Sequence, residues 1–137
     1  MGSVILMASD SLEKRICDAL TALLDDHHED GSVVLIQELW TGKFVQFGPG
    51  WSLILDVPCV ALTSAEADRV SRFFAGLGEK YPIEYDAPNP RTARILHGAT
   101  FNHDFGQDAC TAAQAAVAFF REAYLMFDDT ELKIERR

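Results

Sequence analysis

The sequence has no apolar run long enough to cross a bilayer: residues 4–8, Val-Ile-Leu-Met-Ala, fall far short of the roughly 20 residues a spanning helix needs. No Lys or Arg precedes them, so neither a membrane span nor an export signal is expected. Cysteine is scarce: Cys17, Cys59 and Cys110 are odd in number, far apart and in apolar company, a pattern of reduced buried thiols in a cytoplasmic protein rather than a disulfide frame. Basic charge is also short, with 12 Lys and Arg against 21 Asp and Glu and a net charge of −9. The bases fall in scattered pairs (Lys14 and Arg15, Arg69 and Arg72, Arg91 and Arg94, Arg136 and Arg137) that make no stripe, which argues against a nucleic-acid partner. There is no internal repeat, low-complexity run or linker.

Ligand motifs are equally thin. Gly48-Pro49-Gly50 precedes a strand instead of opening a helix, so no row of helix N–H groups faces a phosphate, and a plain turn is expected. His27-His28-Glu29-Asp30 lacks the four-residue spacing that sets two imidazoles on one side of a helix, and a solvated helix end is the better reading. No metal or cofactor is expected.

What the chain does have is a core. At 137 residues and 48% hydrophobic content it makes a single domain, residues 1–137, able to bury roughly two thirds of its unfolded surface. Residues 33–57 organise it. Three apolar runs, VVLIQELW, KFVQF and WSLILDV, are separated by Thr41-Gly42 and by Gly48-Pro49-Gly50, which predicts a β-meander. The third run places Trp51, Leu53, Leu55 and Val57 on one side and Ser52, Ile54 and Asp56 on the other, as in a sheet with one face on a core.

Helices flank the meander. Leu12, Ile16, Leu20, Leu23 and Leu24 follow helical spacing from residue 10 to about 26, with Asp10 and Glu13 as a capping pair. Thr63-Ser64-Ala65-Glu66 is a capping box for a second helix carrying Val70, Phe73, Phe74 and Leu77 and stopping near residues 76–78. Residues 83–85 form a short strand before the Pro-rich loop 86–90, and residues 97–105 alternate Ala99, Phe101, His103 and Phe105 against Thr100, Asn102 and Asp104. Asp108 caps a last helix to about residue 127, with a stripe of Ala112, Ala116, Phe119, Phe120, Ala123 and Phe127. Residues 1–8 and 128–137 read as loose tails, although Leu132 and Ile134 alternate with charges and also suit an edge strand. The expected fold class is α+β: an antiparallel sheet of about five strands in the order α-β-β-β-α-β-β-α, helices packed on it.

That order resembles a known group when it is taken with four features. These are Phe44-Val45-Gln46-Phe47 in the second strand, Leu77-Gly78 ending the second helix, Phe101-Asn102-His103-Asp104-Phe105, and the Ala-rich opening of the last helix. It is similar to the type III secretion chaperone-like fold and, more narrowly, to the bacterial TY-Chap domains; its Pro-rich loop departs from that pattern. Secretion chaperones of this fold are small, acidic, cytoplasmic and dimeric, and they hold an extended segment of a client across apolar grooves. The resemblance therefore implies a non-enzymatic protein-binding module, a homodimer, with an extended peptide or partner protein as client. Strand addition at a sheet edge would hold such a client. Trp40, Phe44, Trp51, Phe73 and Phe74 are the candidate groove residues, with Phe119 and Phe120 beside them or in a two-fold seam; aromatics at these periods are first of all packing residues. An acidic cytoplasmic regulator or immunity-type protein, blocking a basic partner through Asp25, Asp26, Glu29 and Asp30, is the alternative. Asn102-His103-Asp104 is the one cluster suited to acid–base chemistry, but neighbours in a strand face opposite ways, which favours a structural His103 and no enzyme.

Overall fold

The structure is a computed structural model that describes residues 11–26, 32–49, 52–79, 83–85, 98–127 and 130–137. Its elements run α1 (Ser11–Asp25), β1 (Val34–Glu38), β2 (Phe44–Pro49), β3 (Leu53–Pro58), a 3-10 turn (Cys59–Ala61), α2 (Ser64–Gly76), β4 (Ile83–Tyr85), β5 (Gly98–Asp104), α3 (Ala109–Glu122) and β6 (Leu132–Arg136). The class is α+β. All strand pairs are antiparallel and the sheet order is β4-β5-β3-β2-β1-β6.

The meander forms as its period requires. Val34 faces Phe47, Ile36 faces Val45, and Phe47 faces Leu55, so one face carries Val34, Ile36, Val45, Phe47, Leu53, Leu55 and Val57, all buried. The three helices cover that face: α1 contacts β1 and β6, α3 contacts β3, and α2 contacts β5. Ile16, Leu20 and Leu23 of α1 sit in the core at intervals of four and three. Small residues Ala109, Ala112, Ala113 and Ala116 on the buried side of α3 let α1 and α3 pack together closely.

Helix ends follow local chemistry. Thr63 and Glu66 form the expected capping box of α2, and the Asp108 carboxylate accepts from the Thr111 amide at 3.1 Å at the start of α3. α2 closes in a Schellman turn, in which Gly78 N–H donates to the Ala75 carbonyl and Glu79 N–H to that of Phe74, with Gly78 at φ +93°. The Asp10 cap of α1, the loop at 86–90 and residues 1–8 lie outside the described residues.

Three expectations change. The C-terminal tail is not loose: β6 pairs with β1 from Val34↔Arg136 to Glu38↔Leu132, Arg137 and Val33 extend the ladder, and the sheet has six strands. Leu132 and Ile134 pack against the core, and that burial outweighs the charge around them. Trp40 is not in the first strand, because the Glu38 carboxylate accepts from the Trp40 and Thr41 amides and turns the chain there, with Gly42 at φ +76°. Finally, α3 ends at Glu122 rather than near residue 127. Arg69 Nε donates to the Ala123 carbonyl at 2.8 Å, Tyr124 Oη donates to the Phe44 carbonyl at 2.9 Å, and Leu125 turns into the left-handed region at φ +56°. These tertiary bonds take the chain out of the helix, leaving Phe127 82% exposed.

Candidate functional site

The sheet registers bring one set of chain segments to one end of the molecule: the end of β1, the start of β2, the end of β3 and the start of β6. The 3-10 turn after β3 lies there too. So does the segment after α3, since Tyr124 bonds the first residue of β2 and Leu39 N–H donates to the Glu131 carbonyl at 3.3 Å.

Beneath this end lies a buried polar knot. Lys43 forms an ion pair with Glu66, whose residue is only 5% exposed, and its ammonium stands 5.5 Å from the centre of the Tyr124 ring. Glu66 also receives the Thr63 amide at 2.9 Å, so one carboxylate joins the α2 cap to β2. Burial pushes the Tyr124 phenol well above its usual range, so it remains a donor to the Phe44 carbonyl. Glu38, at the edge of the knot, is held below the usual carboxylate range by the Thr41 hydroxyl and amide and by the Trp40 amide.

Around this knot the surface is apolar. Leu39, Trp40, Val60, Leu125 and Phe127 are the exposed large hydrophobics among the described residues, and all five stand at this end. Trp40 is 89% exposed. Leu125 is apolar, exposed and in a left-handed conformation that a side chain with a Cβ adopts at a loss of about 1–2 kcal/mol. Of these five, the sequence singled out Trp40 alone for binding. A signal for Leu39 was present in its adjacency to Trp40, whereas Phe127 was hidden by the helical stripe expected to reach it and Leu125 lay off that stripe, within the same expected helix.

The remaining sequence candidates separate. Phe74, Phe119 and Phe120 are core: Phe74 stacks on Phe101 at 5.3 Å, and Phe119 meets Phe73, Phe120 and Tyr124 edge to face. Phe119 and Phe120 therefore offer no seam to a second copy. Phe73 is half-buried against the same cluster, and Phe44 is half-buried at the start of β2 on the sheet face without helices. Trp51 lies outside the described residues, as do Glu29 and Asp30. Asp26 is engaged by Arg136 at 2.7 Å. The thiols also differ from expectation: all three are free, but Cys110 is exposed and Cys17 and Cys59 are only half-buried.

The acid–base cluster divides as strand geometry requires. His103 turns toward the helices, its ring 4.7 Å from that of Phe105 and its Nδ1 3.6 Å from Glu79, beyond hydrogen-bond reach. Asp104 turns the other way, accepts from the Ser52 hydroxyl and from the Gly106 amide at 2.7 Å, and is held below the usual carboxylate range by these bonds, Ser52 first. On the sheet face without helices, Asp56 accepts from Gln46 Nε2 at 2.7 Å and from the Thr100 hydroxyl, and with the Asn102 amide oriented so that its nitrogen faces Asp56 that group donates to it as well, a set of groups that satisfy one another. Among the described residues no group of His, Cys, Asp and Glu is arranged to hold a metal ion, and no helix is long and apolar enough to cross a membrane. No protein-family model matches the chain, and no curated protein or solved structure matches it either.

Proposed function

We propose that the chain is a non-enzymatic, cytoplasmic protein-binding module that holds an extended peptide or a partner protein at the end built by the β1–β2 turn and the exit of α3. The role is of the kind that resemblance to TY-Chap and secretion chaperone-like domains implies. What carries the reading is the gathering of Leu39, Trp40, Val60, Leu125 and Phe127 at one end, with a left-handed, exposed Leu125 among them. Exposed apolar side chains scattered singly are ordinary; concentration at one end, at the expense of backbone strain, fits an interaction surface. The sheet edges support it less. β4 has only three residues, and β6 carries Lys133, Glu135 and Arg136, charges that discourage further strand pairing. The net charge of −9 keeps an apolar surface soluble.

The same charge favours a second reading, an acidic regulator that blocks a basic partner. An array of short peptides of varied apolar and basic content, probed with the full chain at low and high salt, separates the two. Apolar peptides retained at high salt, and lost with the Trp40→Ser/Phe127→Ser double variant, support the apolar end; retention of basic peptides that salt abolishes supports the regulator. Light scattering on the same sample reads whether a second copy is the occupant, as a homodimer requires.

A further inference from the structure

α1 and α3 bring two thiols together that are 93 residues apart in sequence: Cys17 Sγ and Cys110 Sγ are 3.2 Å apart, one hydrogen-bonded to the other. Both are free, Cys110 exposed in the first turn of α3 and Cys17 half-buried beside it. The approach is set by packing rather than by a loop, because Ala109, Ala112 and Ala113 of α3 are all buried and small. A disulfide bond length is about 2.05 Å, so the sulfurs need to close by only about 1 Å. Cys59 sits apart, in the turn after β3.

We propose that Cys17 and Cys110 form a reversible dithiol site that hydrogen peroxide oxidises to an intramolecular disulfide, stapling α1 to α3. Cys110, the exposed thiol, is the one oxidised first. Its thiolate attacks one peroxide oxygen, the O–O bond breaks, and the departing oxygen takes a proton to leave as water, giving a sulfenic acid. Cys17 then attacks the Cys110 sulfur through its own sulfur, the S–O bond breaks, and the hydroxide leaves as a second water with the Cys17 proton. Two electrons pass from the thiol pair to the peroxide. Hydrogen bonding to Cys110 and burial hold the Cys17 thiol above its usual range, which slows its own reaction with peroxide; its place 3.2 Å from the Cys110 sulfur is what suits it to resolve the sulfenic acid formed there. The site is independent of the peptide-binding reading.

The full chain treated with a small excess of hydrogen peroxide tests this. The expected product is a monomer lighter by two hydrogens, a Cys17–Cys110 cross-linked peptide after alkylation and digestion, and reversal by dithiothreitol. Closure of so long a loop raises the midpoint of thermal unfolding by roughly 5–15 °C. Cys59→Ser leaves the product unchanged, and Cys17→Ser halts at oxygen adducts on Cys110. Uptake of oxygen by Cys110 in the unaltered chain while Cys17 remains open to alkylation, or bridging to Cys59 or between chains, overturns the proposal.

Discussion

The two ends of the sheet are both made of chain reversals, yet they are finished with opposite chemistry. At the end where β3 begins and β5 finishes, polar groups close every described turn: Asp104 takes Ser52 and Gly106, Asp108 takes Thr111, Gly78 completes a Schellman turn, and Arg136 bridges to Asp26. At the other end Glu38 and Glu66 also close turns, but they do so from buried positions beside Lys43 and Tyr124, and apolar side chains are left outside. Reversal of the chain does not by itself oblige a surface to be greasy. That difference is what the proposed binding role rests on: apolar side chains are left exposed at the second end and not at the first, among the described residues.

The largest effect that sharpens this contrast is at the knot. Glu66→Ala removes the Lys43 partner and half the capping box, and denaturant unfolding should show a loss of about 2–3 kcal/mol, below the full penalty for a broken buried pair because Lys43 retains some access to water. Leu125→Gly relieves the left-handed strain, offset by the extra freedom of glycine in the unfolded chain, so it should raise stability by about 0.5–1 kcal/mol while weakening peptide binding. At the closed end, Asp104→Asn loses about 1 kcal/mol or less, since the group is exposed.

That variant also bears on pH. Asp104 and Asp108 titrate lower in the folded chain than in the unfolded one. Their contribution is therefore complete above the unfolded value near 4 and drains away as pH falls through the folded values. Thermal unfolding below about pH 4 should show that loss, and it should be shallower in Asp104→Asn/Asp108→Asn. The smallest effect is the most telling: Trp40→Ser/Phe127→Ser should alter stability by no more than about 0.5 kcal/mol, because neither side chain is buried. A large loss there would mean that both residues pack in the free protein and that the ends do not differ as described.

Much of this fold was legible in the sequence because its signals are local. The alternation of Leu53, Leu55 and Val57, the Thr63–Glu66 box and the Asp108 cap each need only a few neighbouring residues to take effect. What was not legible depends on distant partners. β6 is a strand because β1 offers it an edge and the core accepts Leu132 and Ile134, while its own residues suit a tail equally well. α3 stops at Glu122 because Arg69, 54 positions away, holds the Ala123 carbonyl, and no helix-breaking residue marks the place. The candidate surface was half visible for the same reason. Trp40 stood out as an aromatic, whereas the exposure of Phe127 follows from that early stop, and the meeting of Cys17 with Cys110 from the packing of two helices.

The central claim is that the apolar end receives a polypeptide, and Trp40 reports on it directly. The chain has two tryptophans, so Trp51→Phe leaves Trp40 as the single indole, solvent-exposed in the free protein. Titration with the best-retained apolar peptide should shift its emission to the blue and saturate, with the shift preserved at high salt. Saturable binding of that peptide with no change in Trp40 emission would place the client elsewhere and contradict the account.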